Sequence, residues 1–165
     1  LTRSIDSNDF VAKDKLSIAS FYAGKAINIS KTTVSHALSY PITKYYNIPH
    51  GISVAITIIE LIKYNLSPDN ISNISDNRGV EFYNLIIKTF MNIFNTKNVN
   101  EICKKIEFIF SDLEIYKYID NNLDAELIIK DMDIKRLRNN PLKINNENLI
   151  KLLTNSIDNI KNESR

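Results

Sequence analysis

Two histidines are the strongest candidates for chemistry in this chain. His36 and His50 are the only histidines among its 165 residues, and thirteen residues separate them. Neutral imidazole is the commonest metal ligand in proteins and suits Zn, Cu, Fe and Ni. Two such rings flanking one helix–turn–helix segment are a stronger indication of a shared metal ion than a lone histidine is. The alternative is that each ring is a partly buried polar group with a backbone partner.

The residues on either side of His50 fix its position. Pro49 precedes it and Gly51 follows it, so one neighbour has a rigid backbone and the other a permissive one. We expect this arrangement to hold the imidazole at the N-terminus of the next helix. The helix dipole adds positive potential at that end.

Apolar residues recur at helical spacing through most of the chain, so we predict an all-α fold of seven or eight helices. The helix beginning at His50 is apolar on almost every side, which predicts burial on all sides at the centre of the domain. The predicted helices span 9–29, 50–64, 79–94, 98–110, 123–131 and 147–160, and one more is expected to run from a cap within 30–33 to about residue 46.

Polar residues and prolines predict where these helices begin and end. Ser7 or Asn8 is expected to cap the first helix, and Asn146 the last. Pro41 is expected to kink or divide the second helix. The polar segment 65–77 is predicted to be a loop.

Composition excludes several classes of protein. A net charge of +2 argues against a dedicated nucleic-acid binder. The single cysteine, Cys103, excludes a disulfide framework, and we expect it to be a small buried apolar residue. With three glycines, the chain contains neither the dinucleotide-binding nor the P-loop motif. No apolar run approaches the roughly 20 residues that span a bilayer. We therefore expect a cytoplasmic protein that binds neither nucleic acid nor membrane.

The segment from His36 to Gly51 carries a recognisable motif, H-A-L-S-Y-P-I-T-K-Y-Y-N-I-P-H-G. It resembles the C-terminal helical domain of the iron-containing (group III) alcohol dehydrogenases, whose pattern is H-A-x-[AS]-[HY]-P-[LI]-x-x-x-Y-x-[IT]-P-H-G. A second run, R-L-R-N-N-P at 136–141, resembles the N-P segment near the end of that domain. Together with I-N-I-S-K-T-T at 27–33, it looks closest to the phosphonoacetaldehyde reductase branch.

The resemblance implies a metal-binding domain with the dehydroquinate synthase-like fold. Family members bind Fe(II), or sometimes Zn(II), through one Asp and three His. His36 and His50 match two of those histidines. The Asp and the remaining His come from a D-x-x-x-H motif, which this sequence lacks. Residues 1–165 are therefore expected to form a single helical domain, the C-terminal fragment of a two-domain enzyme.

The resemblance also implies an activity and its partners. The missing N-terminal α/β domain would bind NAD(P)H, and the substrate would be a small alcohol or aldehyde, with phosphonoacetaldehyde as the branch suggests. The isolated chain would be inactive. The resemblance leaves open whether the protein forms a homodimer. The alternative, from a different class, is a non-catalytic helical interaction module derived from this domain.

Tyr40 occupies a position where many family members have a further histidine near the nicotinamide. It lies four residues after His36 and so shares a helix face with it. A phenol can pass on a hydrogen bond, although its ordinary pKa of about 10 makes it a poorer relay at neutral pH than imidazole. The alternative is an aromatic side chain packed beside Pro41.

Basic residues near both motifs suggest a site for the anionic group of such a substrate. Lys31, Thr32 and Thr33 stand one turn before His36, and a cation beside hydroxyl donors suits a phosphonate. The alternative is a solvated lysine with capping hydroxyls. Arg136 and Arg138 would serve the same anion or face water at a helix end.

Overall fold

The computed structural model describes residues 9–119 and 122–163, with side chains as far as residue 160. Within these ranges the regular structure is helical, with no strand beyond an isolated antiparallel bridge between Ile74 and Leu142. The predicted all-α class is confirmed. The described residues form seven α-helices: α1 (Phe10–Ser30), α2 (Val34–Tyr46), α3 (His50–Leu66), α4 (Gly79–Phe94), α5 (Val99–Asp112), α6 (Ala125–Lys130) and α7 (Asn146–Glu163). None of these helices is long and apolar enough to cross a bilayer.

The first of two compact units, which ends at Thr32, contains α1. The side chain of Asp9 caps this helix, because its Oδ1 accepts from the amide of Ala12 at 3.0 Å. The predicted caps Ser7 and Asn8 lie outside the described residues. No residue of α1 is buried. The side chains left exposed include large apolar ones: Phe10, Val11, Leu16, Ile18, Phe21, Tyr22, Ile27 and Ile29.

The second unit, from Thr33 onward, is built around α3, which packs against α2, α5 and α7. The predicted central place of this helix is confirmed, but its burial on all sides is wrong. Ser53 and Thr57 are fully buried, whereas several isoleucines are only partly buried. The polar side chains are the ones that face the neighbouring helix, because they are small enough to let two helix backbones approach closely.

Buried hydroxyl groups join α2 to α3. Thr57 Oγ1 donates to Ser35 Oγ at 2.9 Å, and Thr43 Oγ1 donates to Ser53 Oγ at 3.0 Å. Ser53 Oγ in turn donates to the carbonyl oxygen of Ile48 at 3.2 Å. A buried hydroxyl without a partner costs about 1–3 kcal/mol, so these pairs fix the register of the two helices.

The turn between α2 and α3 sets where α3 begins. Asn47 adopts a left-handed conformation, with φ of 53°, and its amide donates to the carbonyl oxygen of Thr43 at 3.1 Å. Asparagine tolerates this conformation, which ends a helix. Pro49 then caps α3, whose first residue is His50, as predicted. Gly51 is an ordinary helical residue, so the conformational freedom expected of it is not used.

Several predicted boundaries are wrong. The second helix begins at Val34 after the cap residue Thr33, within the range predicted for its cap, but Pro41 does not divide it. The last helix is capped by Asn145, whose Oδ1 accepts from the amide of Asn148 at 2.8 Å, and not by Asn146. Segment 65–77 contains a 3-10 helix rather than only a loop. The 3-10 helices span Pro68–Asn73, Ile115–Tyr118 and Ile134–Asn139.

A reciprocal amide pair ties the end of α3 to the segment after the last 3-10 helix. Asn140 Nδ2 donates to Asn65 Oδ1 at 2.8 Å, and Asn65 Nδ2 donates to Asn140 Oδ1 at 2.9 Å. Asn140 Nδ2 also donates to the carbonyl oxygen of Leu142 at 2.8 Å. Because Asn140 is buried, its amide has no water to replace these partners.

Replacing Asn140 with alanine is expected to lower the free energy of unfolding by about 1–3 kcal/mol, because it leaves the amide of Asn65 without its partner. Chemical denaturation monitored by circular dichroism measures this change. Asn100→Ala, at an exposed site on α5, is the control and should change stability by at most a few tenths of a kcal/mol. Equal effects of the two substitutions would show that the amide pair contributes nothing.

Candidate metal centre

The fold brings the two histidines together. His36 is the third residue of α2, and His50 is the first residue of α3. Their ring centroids lie 5.8 Å apart, with an angle of 60° between the ring planes. A ring bound through one nitrogen has its centroid roughly 3 Å from a zinc-sized ion. The separation therefore fits two imidazoles on one ion.

The pKa of His36 is lowered below 6.5, first by burial, then by the neighbouring His50 and by the Arg136 guanidinium. All three causes disfavour the imidazolium form. Metals bind only the neutral ring, so the surroundings of His36 favour the state that a ligand needs.

In the metal-free protein, we expect the imidazole of His36 to titrate below pH 6.5. The folded state then binds fewer protons at this ring than the unfolded state, so its contribution to stability is complete above pH 6.5 and is lost as pH falls. NMR of the imidazole protons measures the pKa, and the spectrum of His50→Gln assigns the signal. A His36 pKa at or above 6.5 would contradict this account.

Ser39 orients the ring of His50. It is fully buried, and its Oγ donates to the carbonyl oxygen of His36 at 2.9 Å. The same oxygen lies 3.4 Å from His50 Nδ1. A hydroxyl has one proton, so Ser39 accepts here from Nδ1–H, which leaves the lone pair of His50 on Nε2. Such a partner fixes the tautomer and direction of a metal-binding imidazole. Sequence reasoning missed this role, although Ser39 lies within the motif.

Tyr40 stands beside the pair. Its ring centroid is 5.5 Å from that of His50, and 45% of the residue is exposed. The guanidinium carbon of Arg136 lies 4.8 Å from the Tyr40 ring centroid, within cation–π distance. Of the two arginines considered from sequence, Arg136 is brought to the site, while Arg138 is exposed.

The predicted anion-binding run lies between α1 and α2. Lys31 ends α1 with φ of 62°, and its Nζ donates to the carbonyl oxygen of Asn28 at 3.1 Å. Thr32 follows, and Thr33 caps α2 without a side-chain hydrogen bond to the helix. Binding of an anion by these residues stays a prediction.

Among the described residues, His36 and His50 are the two candidate metal ligands that the fold brings together. Within 9–119 and 122–160, no group of three or more His, Cys, Asp or Glu side chains could hold an ion. Cys103 is buried, as predicted, and burial raises the pKa of its thiol, which makes it a poor ligand. Two imidazoles are suitable ligands for Fe(II) or Zn(II), but they do not complete the coordination shell of either ion.

Parts of this sequence are similar to known proteins. The pattern of the Fe-containing alcohol dehydrogenase family, C-terminal, matches residues 1–157. Phosphonoacetaldehyde reductase of Streptomyces viridochromogenes is 35% identical over 60 residues, which are 36% of this chain and 15% of that protein. Alcohol dehydrogenase 4 of Schizosaccharomyces pombe is 32% identical over 66 residues, or 39% and 16% of the two chains.

A third relative is of another kind. A surface cell antigen of Rickettsia felis is 34% identical over 120 residues, 72% of this chain but 7% of its own length. The chain therefore spans less than a fifth of each of these relatives. No solved structure matches it. The family pattern covers nearly the whole chain and includes the histidine motif, so this chain belongs to the Fe-containing alcohol dehydrogenase family, to its C-terminal helical part.

Proposed function

We propose that the protein containing this chain is a metal-dependent enzyme that reduces small aldehydes, or oxidises the matching alcohols, with NAD(P)(H). The observation that carries the proposal is the pair of imidazoles, His36 and His50, with ring centroids 5.8 Å apart. The names of two relatives, an alcohol dehydrogenase and an aldehyde reductase, support this reaction type.

His36 and His50 would hold Fe(II) or Zn(II). When bound, such an ion acts as a Lewis acid that polarises the carbonyl oxygen of an aldehyde. The chain's own part is to position and tune the donors. Burial favours the neutral ring of His36, and Ser39 presents Nε2 of His50 as the donor atom. The N-terminal end of α3, at His50, adds positive potential beside the substrate oxygen.

Tyr40 is the group that would hold a proton for the substrate oxygen. Its ring lies beside His50 and is accessible, so its hydroxyl can reach a small molecule bound at the histidines. The nicotinamide cofactor would be bound by an N-terminal domain, since this sequence contains no glycine-rich phosphate-binding motif.

The finer proposal is that the aldehyde is phosphonoacetaldehyde. Its support is the similarity to a phosphonoacetaldehyde reductase over 36% of the chain. The runs that look closest to that branch, 27–33 and 136–141, lie on either side of the histidine motif in sequence.

A non-catalytic interaction module is the second candidate. The observation in its favour is α1, whose large apolar side chains are exposed, as a helix that binds a partner would have them. One measurement on the full-length protein distinguishes the two candidate functions.

That measurement is aldehyde-dependent oxidation of NADH or NADPH after loading with Fe(II) or Zn(II) under anaerobic conditions. The enzyme proposal predicts turnover that a chelator removes and added metal restores. Absence of turnover with both cofactors, both metals and a panel of small aldehydes would favour the interaction module.

A further inference from the structure

We infer that Arg136 binds the anionic group of the substrate and so selects aldehydes that carry a negative charge. This inference rests on the proposed function, because it takes the carbonyl group to bind at His36 and His50. The inference assigns substrate specificity to Arg136, whereas the sequence offers no reason to choose between Arg136 and Arg138.

The position of Arg136 is right for such a contact. It lies on the 3-10 helix Ile134–Asn139, which packs against α2. Its guanidinium carbon is 4.8 Å from the Tyr40 ring centroid, which is itself 5.5 Å from that of His50. The sum of these two distances is an upper limit, so the guanidinium carbon lies at most about 10 Å from the centroid of the His50 ring. A small molecule with a carbonyl group at one end and an anion at the other spans such a gap.

The side chain of Arg136 is held in place from two sides. Its Nε lies 3.3 Å from Oδ2 of Asp133, and its guanidinium carbon lies over the ring of Tyr40, 4.8 Å from the ring centroid. A guanidinium oriented in advance loses little side-chain entropy when it binds a ligand. About a third of the side chain is exposed, so a ligand can reach it.

The chemistry of a guanidinium matches that of a phosphonate. Its donors form a rigid fork that binds two oxygens of a phosphonate or carboxylate at once.

Lys31 is the competing group. The sequence predicts it as the cation for the same anion, but in the structure its Nζ donates to the carbonyl oxygen of Asn28. Arg136 has a demonstrated contact with Tyr40 beside the histidines, and this contact is the reason for preferring it.

The test uses the full-length, metal-loaded protein with two aldehydes of similar size, phosphonoacetaldehyde and uncharged 3,3-dimethylbutanal. Arg136→Gln is expected to raise the KM for the phosphonate about 10- to 100-fold and to leave the KM for the neutral aldehyde unchanged. Arg138→Gln removes the same charge from the same 3-10 helix and should change neither. Calorimetric titration with phosphonoacetate, which does not react, should show the same loss of affinity in Arg136→Gln.

A second substitution at the same position tests the inference even if Arg136→Gln does not fold. Arg136→Lys keeps the charge but loses the fork, so we expect it to weaken phosphonate binding several-fold and to leave the neutral aldehyde unaffected. Equal effects of Arg136→Gln on the two aldehydes would overturn the inference, and so would a loss of phosphonate binding in Lys31→Gln alone.

The two levels of the proposal can fail separately. If the wild-type protein reduces the neutral aldehyde and shows no preference for the phosphonate, the assignment of Arg136 fails while the proposed function stands. If it reduces neither aldehyde, the proposed function fails and the assignment of Arg136 fails with it.

Discussion

Replacing His50 with alanine is expected to abolish aldehyde reduction by the full-length protein. The substitution removes one of the two imidazoles that stand 5.8 Å apart, and with it the donor that Ser39 orients. A Lewis-acid metal supplies several kcal/mol to carbonyl chemistry, and every 1.4 kcal/mol is a factor of about ten in rate. We therefore expect kcat to fall about 10³-fold or more, measured as NAD(P)H oxidation at saturating aldehyde.

The controls for this substitution lie on the same two helices. His36→Ala should have the same effect, because either imidazole alone leaves the ion with one fewer ligand. Tyr45→Phe, which removes the hydroxyl that donates to Asp131 at the surface, should leave kcat unchanged. Full turnover and full metal content in His50→Ala would remove His50 from the site.

Replacing Tyr40 with phenylalanine should give the second largest effect. The phenyl ring keeps the contacts that Tyr40 makes with Arg136 and with His50, so the substitution removes only the hydroxyl that would supply the proton. General acid catalysis contributes about 10²- to 10⁴-fold, and we expect kcat to fall by about 10²-fold with little change in metal content. Rapid-mixing kinetics across a range of pH measures the loss.

Tyr40→His tests whether the loss of a proton donor explains the lower activity of Tyr40→Phe. Tyr40→His places a group with an ordinary pKa near 6.5 at the position where many family members have histidine, so it should keep most of the activity and shift the pH dependence downward. If Tyr40→Phe keeps the wild-type rate and pH profile, Tyr40 has only a packing role beside Pro41.

The sequence motif was sufficient to predict the histidine pair but not which side chains contact it. Spacing and the Pro49 turn place His36 and His50 on neighbouring helices, and the structure brings them together. The role of Ser39 escaped prediction, and the sequence did not distinguish Arg136 from the other candidate arginine, for one physical reason. Which side chains contact a ring depends on how two helices pack, and helical periodicity reports only which face is apolar.

The same limit applies to the fold. Helix α4 was predicted to the residue, because a strong apolar stripe runs along its whole length. The 3-10 helices were missed, since four to six residues are too few to show a period. The buried hydroxyls of Ser53 and Thr57 were missed because small polar residues usually indicate the exposed face of a helix.

The most direct test of the account is a crystal structure of the full-length protein, grown with Fe(II) or Zn(II) and recorded at the absorption edge of the metal. The account predicts one anomalous peak between the two rings, with Nε2 of His50 and one ring nitrogen of His36 each about 2.0–2.3 Å from it. A metal bound elsewhere in the protein, with both imidazoles more than about 4 Å from the ion, would contradict it.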